Sequence, residues 1–141
     1  MGTALIVANQ TLPSQPLADA IAERIRSGVT SFYVVVPATP IGHGMTWDEE
    51  TTWQEARERL GSFLTHLRGQ GVEADGEVGD RDPVAAVRDA LRGRQVDEVV
   101  VSTLPPGISR WLGQDIPSKL RHNVSVPVVV VYEGAAAGAS A

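Results

Sequence analysis

The sequence predicts an α/β fold: a single doubly wound domain whose five-stranded parallel sheet carries helices on both faces. Three observations predict it. Apolar, β-branched runs at 4–8 (ALIVA), 31–36 (SFYVVV), 98–101 (EVVV) and 127–132 (PVVVVY) show little alternation, the mark of strands buried on both faces. Between consecutive runs lie segments whose apolar residues recur at helical spacing. Strand and helix alternate along the whole chain, and right-handed crossovers turn that order into a parallel sheet with helices on both sides.

Each element has its own start and stop signals. After the first strand comes a polar turn, Asn9 to Pro13; Ser14 then caps a helix with Pro16 in its first turn. Leu17, Ile21 and Ile25 form its inner face, and Gly28 ends it. Pro37 closes the second strand. The connection from Ala38 to Trp47 is long for a βα loop, and long loops in compact domains are often functional. Thr46-Trp47-Asp48-Glu49 has the capping-box pattern and opens the longest helix, with Trp53, Ala56, Leu60, Phe63, Leu64 and Leu67 facing the core. Gly69-Gln70-Gly71 stops it.

The stretch 72–78 alternates strictly: Val72, Ala74, Gly76 and Val78 on one side, Glu73, Asp75 and Glu77 on the other. A strand with one solvated, charged face belongs at a sheet edge. Asp82 caps the next helix, with Pro83 at its first position and Val84, Val87 and Leu91 as its expected buried face; Gly93 ends it. The strand at 98–101 is expected to break at Ser102-Thr103 into a loop holding Pro105, Pro106 and Gly107. A short helix over 116–122, capped by Asp115, leads to the last strand at 127–132. Residues 1–132 form the expected domain, and 133–141 a flexible tail rich in Ala and Gly.

Composition excludes several classes. At 141 residues, 43% hydrophobic, the chain can bury a core as one domain. A net charge of −5 gives no general attraction to nucleic acid or to an anionic membrane. With no cysteine there is neither a disulfide nor a thiolate site, and three dispersed histidines lack metal-ligand spacing. No signal segment or membrane-length apolar run is visible, so the expected location is cytoplasmic.

The chain resembles the universal stress protein superfamily over nearly all its length. The matching pieces are ALIVAN, VVVPATP, EVGDRDPVAAVRDAL and DEVVVSTLPPGISRWLG through RHNVSVPVVVV. The resemblance implies strand order 3-2-1-4-5 within the adenine nucleotide alpha hydrolase-like architecture, with a crevice where the order reverses, between the first and fourth strands. Candidate ligand contacts then come from three places. The first strand's turn supplies Asn9 and Gln10; the end of the second strand and its loop supply Pro37, Thr39 and His43. The loop after the fourth strand supplies Ser102, Thr103, Gly107, Ser109, Arg110 and Gly113.

Nucleotide-binding members of that family carry G-x-x-G-x9-G-[ST] after the fourth strand and an Asp at the end of the first. Here Asn9 stands in place of the Asp, and alignment on Gly107 puts Val101 and Leu104 where the first two glycines belong. Pro105 and Pro106 have no N–H to give a phosphate. Asp115 stands near the helix start, where a carboxylate repels phosphate. The local alternatives stay open. Arg110 is an anion fork or a surface partner of Asp115; Trp111 is a base platform or a core residue; His43 and Trp47 are a lid or a surface loop with an aromatic staple.

Three function classes follow. The first is a non-catalytic binding or regulatory protein that has lost classical ATP binding. The second is a nucleotide binder, for ATP or AMP, using an altered loop after the fourth strand. The third is an enzyme, for which no nucleophile, base or metal constellation is visible. The resemblance and the uncharged last strand together imply a homodimer paired through 127–132.

Overall fold

The computed structural model describes residues 2–8, 12, 14–38, 49–103 and 115–133, the side chains of 49–52 aside, and among these described residues nine elements alternate. They are β1 (Thr3–Val7), α1 (Gln15–Arg26), β2 (Ser31–Pro37), α2 (Glu49–Arg68), β3 (Glu73–Gly79), α3 (Pro83–Leu91), β4 (Glu98–Thr103), α4 (Ile116–Asn123) and β5 (Val128–Tyr132). The sheet is parallel, in the order β3-β2-β1-β4-β5, as the resemblance implies. The alternating stretch lies at its edge as β3.

Topology decides which helix covers which face. The first two crossovers run outward from β1 to β3 and place α1 and α2 on one face. The next two run the other way and place α3 and α4 on the opposite face. The core is therefore two layers. Leu17 and Ile21 of α1 pack with Ala56, Leu60, Phe63 and Leu67 of α2 against Ile6, Phe32 and Val34. On the other face Ala86, Val87 and Ala90 of α3 pack with Ile116 and Leu120 of α4 against Leu5, Val35 and Val99. The strand residues of these layers alternate along β1 and β2, so one apolar run serves both cores. That is why those runs show no polar period.

Helix starts follow local chemistry. The Ser14 hydroxyl accepts the Leu17 N–H at 3.3 Å, with Pro16 inside the first turn. Asp82 accepts the Val84 N–H at 3.1 Å, and Asp80 in turn accepts the Asp82 N–H at 2.8 Å, so two carboxylates shape the turn between β3 and α3. Gly28 and Gly93, at φ 109° and 73°, supply the left-handed backbone that ends α1 and α3. An ion pair, Arg24 Nε to Glu98 Oε1 at 2.7 Å, fixes α1 across the start of β4.

Four expectations need correction. β4 does not break at Ser102; it continues to Thr103, because β5 extends far enough to pair Ser102 with Val131 and Thr103 with Tyr132. The buried face of α3 is Pro83, Ala86, Val87 and Ala90, with Val84 and Leu91 only partly buried. Small residues take that face because the helix sits directly on Gly79: a Cβ there would stand 2.9 Å from the Ala86 Cβ. Asp115 occupies the start of α4 in a left-handed conformation, φ 57°, and its side chain makes no capping hydrogen bond. The charged face of β3 is not simply solvated, since Glu77 is half-buried against Tyr33. The Thr46 capping box lies outside the described residues.

Candidate functional site

The carboxyl ends of β1 and β4 lie side by side, and each is flanked by a different continuation of the sheet: β2 beyond β1, β5 beyond β4. Helices leave toward opposite faces on the two sides, which opens a crevice above the β1–β4 seam. The seam is fixed in register by Val7 opposite Val101.

Three of the sequence-predicted site residues can be placed. Ser102 and Thr103 end β4 and are 1% and 3% exposed, so two hydroxyl side chains are buried at the carboxyl edge of an otherwise apolar strand. Pro37 is buried at the end of β2, opposite Gly79, where the Ala38 N–H bonds to the Gly79 carbonyl at 3.1 Å. Pro37 is separated from Ser102 and Thr103 by β1. The three share the carboxyl end of the sheet, but only the last two border the β1–β4 seam. Asn9, Gln10, Thr39, His43, Gly107, Ser109, Arg110 and Gly113 lie outside the described residues, as do Trp47 and Trp111.

The next described element after β4 is α4, which begins just after Asp115. Asp115 is exposed there, Pro117 in the first turn has no N–H, and the Lys119 N–H is already bonded to the Asp115 carbonyl at 3.1 Å. The donors that a helix N-terminus usually offers an anion are thus reduced by one proline and faced by a carboxylate.

A cluster that sequence reasoning missed lies at the opposite, amino end of the sheet. The Tyr33 hydroxyl donates to Glu77 Oε1 at 2.5 Å, and the Arg94 guanidinium stacks over the Tyr33 ring at 3.7 Å. Tyr33 and Arg94, with Ser31, Asp75 and Gln95, border an open depression of about 420 Å³. The available signal was Tyr33 itself, the one hydroxyl-bearing aromatic in the SFYVVV run, lying opposite the charged face of β3.

Burial, then the hydrogen bond and negative charge of Glu77, push the Tyr33 hydroxyl from 10.0 up to about 12. The folded value lies above the unfolded one, so this contribution to stability is complete below pH 10. It is lost as pH rises toward about 12. Tyr33→Phe is expected to cost about 1 kcal/mol at neutral pH. It should also flatten the loss of stability across that alkaline window, measured as urea midpoints of the two proteins. Equal slopes would contradict the assignment.

Comparison with solved structures places the architecture. The universal stress protein of Archaeoglobus fulgidus superposes with a TM-score of 0.60 at 22% identity, covering 92% of this chain and 93% of that one. The fold is that of the universal stress proteins. The same archaeal protein in complex with dAMP gives a TM-score of 0.59 at 22% identity, over 92% and 97% of the two chains. An Arabidopsis thaliana universal stress protein family protein with AMP bound gives 0.60 at 15% identity, over 94% and 93%. No family model matches the chain, and no curated protein matches it in sequence. The universal stress protein fold is therefore carried here by strand pattern, crossover order and caps, with few identical side chains.

Proposed function

We propose that the chain is a non-catalytic binding or regulatory protein on the universal stress protein fold, one that has lost the cradle for a nucleoside triphosphate. The observation that carries this reading is the start of α4. Pro117 removes a donor, Asp115 presents a carboxylate, and the sequence before them sets Val101 and Leu104 where the family's first two glycines belong, followed by Pro105 and Pro106, which have no N–H to give a phosphate. A ligand at ~100 times its dissociation constant stabilises by about 2.7 kcal/mol, several degrees of melting temperature at this size. Micromolar ATP is expected to leave the melting temperature unchanged. A saturable upward shift would overturn the proposal.

A second reading is favoured by the neighbours solved with dAMP and AMP: this chain takes a nucleoside monophosphate. One phosphate needs fewer donors than three, and Ser102 and Thr103 line the seam where it would approach. The same melting experiment decides, since a saturable shift with AMP and none with ATP selects the monophosphate.

The assembly proposed is a homodimer through β5. Val128 to Val131 form an uncharged edge, Val129 is exposed, and long apolar edges in soluble proteins are usually paired. Light scattering at micromolar concentration is expected to give twice the 15.0 kDa chain mass. The monomer mass across the dilution range would exclude the dimer.

A further inference from the structure

A parallel sheet has two edges, and in this one they are not equivalent. Along β3, Glu73 donates to the Thr30 carbonyl and Gly79 accepts from Ala38, so the odd-numbered residues direct their backbone groups toward β2. Alternation leaves the N–H and C=O groups of Ala74, Gly76 and Val78 pointing out of the sheet. Two of those outward groups are held by side chains of the same chain. Arg68 Nε, at the end of α2, donates to the Ala74 carbonyl at 3.0 Å, and the Gly76 N–H donates to Asp75 Oδ1 at 2.8 Å.

The β5 edge has the same parity. Val99 donates to the Pro127 carbonyl and Glu133 to the Thr103 carbonyl, which leaves the backbone groups of Val128, Val130 and Tyr132 facing outward. Here a side chain reaches only the first carbonyl, Arg121 Nη2 to Val128 O at 3.3 Å. From Val130 onward, no hydrogen bond among the described residues covers the edge.

We propose that Arg68 and Asp75 close the β3 edge, so that strand addition between copies of this chain is confined to β5 and stops at two subunits. This rests on the reading of β5 as the pairing edge. Two β5 strands meeting antiparallel about Val130 can exchange both of its backbone hydrogen bonds, and the pairing consumes both copies of that edge. A β5-to-β3 contact is different: it is head-to-tail, leaves one free edge at each end, and grows without closing. The held Ala74 C=O and Gly76 N–H deny that contact two of its ladder bonds. Pairing of β3 with β3 is opposed further, because Glu73, Asp75 and Glu77 would bring like charges together across the junction. The partner is thus a second copy of this chain, and the capped edge sets the limit on assembly.

The test uses the full chain and light-scattering mass at several concentrations. Circular dichroism shows that each variant is folded. Arg68→Ala/Asp75→Ala is expected to assemble beyond the wild-type mass, to four chains or more. Val130→Pro removes an outward N–H that has no strand partner, a change edge strands tolerate, and is expected to give one chain. If Val130→Pro and the wild type are both monomeric, the β5 dimer is wrong. The edge proposal is then still judged by whether the double variant exceeds one chain. A double variant with the wild-type mass at every concentration overturns the proposal, and Asp75→Asn, which keeps an acceptor for Gly76, should stay at the wild-type mass.

Discussion

Replacing Gly76 with alanine is expected to lower stability by about 3 kcal/mol, which at this chain length is roughly 10 °C of melting temperature. Gly76 lies in β3 opposite Val34, and a Cβ built on it would collide with the Val34 carbonyl oxygen. It would also stand 2.9 Å from Leu60 Cδ1 and 3.2 Å from the Val34 carbonyl carbon. The backbone needs no left-handed conformation here; the constraint is close approach. Leu60 can rotate away, but a carbonyl in the ladder cannot, so β3 has to shift from β2 or α2 has to lift. Thermal and urea unfolding check the value, and a melting temperature within a degree of the wild type would refute it. Adding Leu60→Ala should not restore stability, because it relieves the softer of the two contacts.

The same residue shows what the sequence could and could not disclose. Gly76 falls on the inward side of an alternating strand, so its face and its place at the edge follow from period and composition. The reason for glycine does not, because it depends on a carbonyl contributed by β2 and a leucine contributed by α2. The α3 face is a parallel case. Val84 and Leu91 look like core residues by hydrophobicity, yet Ala86, Val87 and Ala90 are the ones at 0% exposure, and Ala86 sits so close to Gly79 that nothing larger fits there. Strand order was accessible only through resemblance: alternation of elements gives a parallel sheet, and it does not say on which side of β1 the fourth strand lies.

The candidate site was legible as a place and less so as chemistry. Ser102 and Thr103 stand out in sequence as hydroxyls following Val-Val-Val, and the structure buries both at the carboxyl end of β4, beside β1. Their strand conformation was missed because a Ser-Thr pair before two prolines reads locally as a loop, while the β5 ladder overrides that preference. The Tyr33–Glu77–Arg94 cluster was missed because its members come from β2, β3 and the turn after α3, which no local pattern links.

Gly79 and Ala86 offer a sharper measurement than any single substitution. A Cβ at 79 would lie 2.9 Å from the Ala86 Cβ, 3.4 Å from its Cα and 3.5 Å from Val35 Cγ1. Gly79→Ala is therefore expected to push α3 away from the end of β3, at a cost of about 2 kcal/mol. Ala86→Gly costs a similar amount for a different reason, about 1 kcal/mol of helix propensity and roughly 0.8 kcal/mol for a buried methyl. Were the two independent, the double variant would lose about 4 kcal/mol. They share one gap, however, and Gly79→Ala/Ala86→Gly moves a methyl across it without adding volume. The double variant should lose only about 2 kcal/mol, leaving the helix glycine as its main defect and a coupling of about 2 kcal/mol between the sites. Additive losses in a double-mutant cycle would show that α3 does not rest on Gly79, and the packing argument for the small residues of α3 would fail with it.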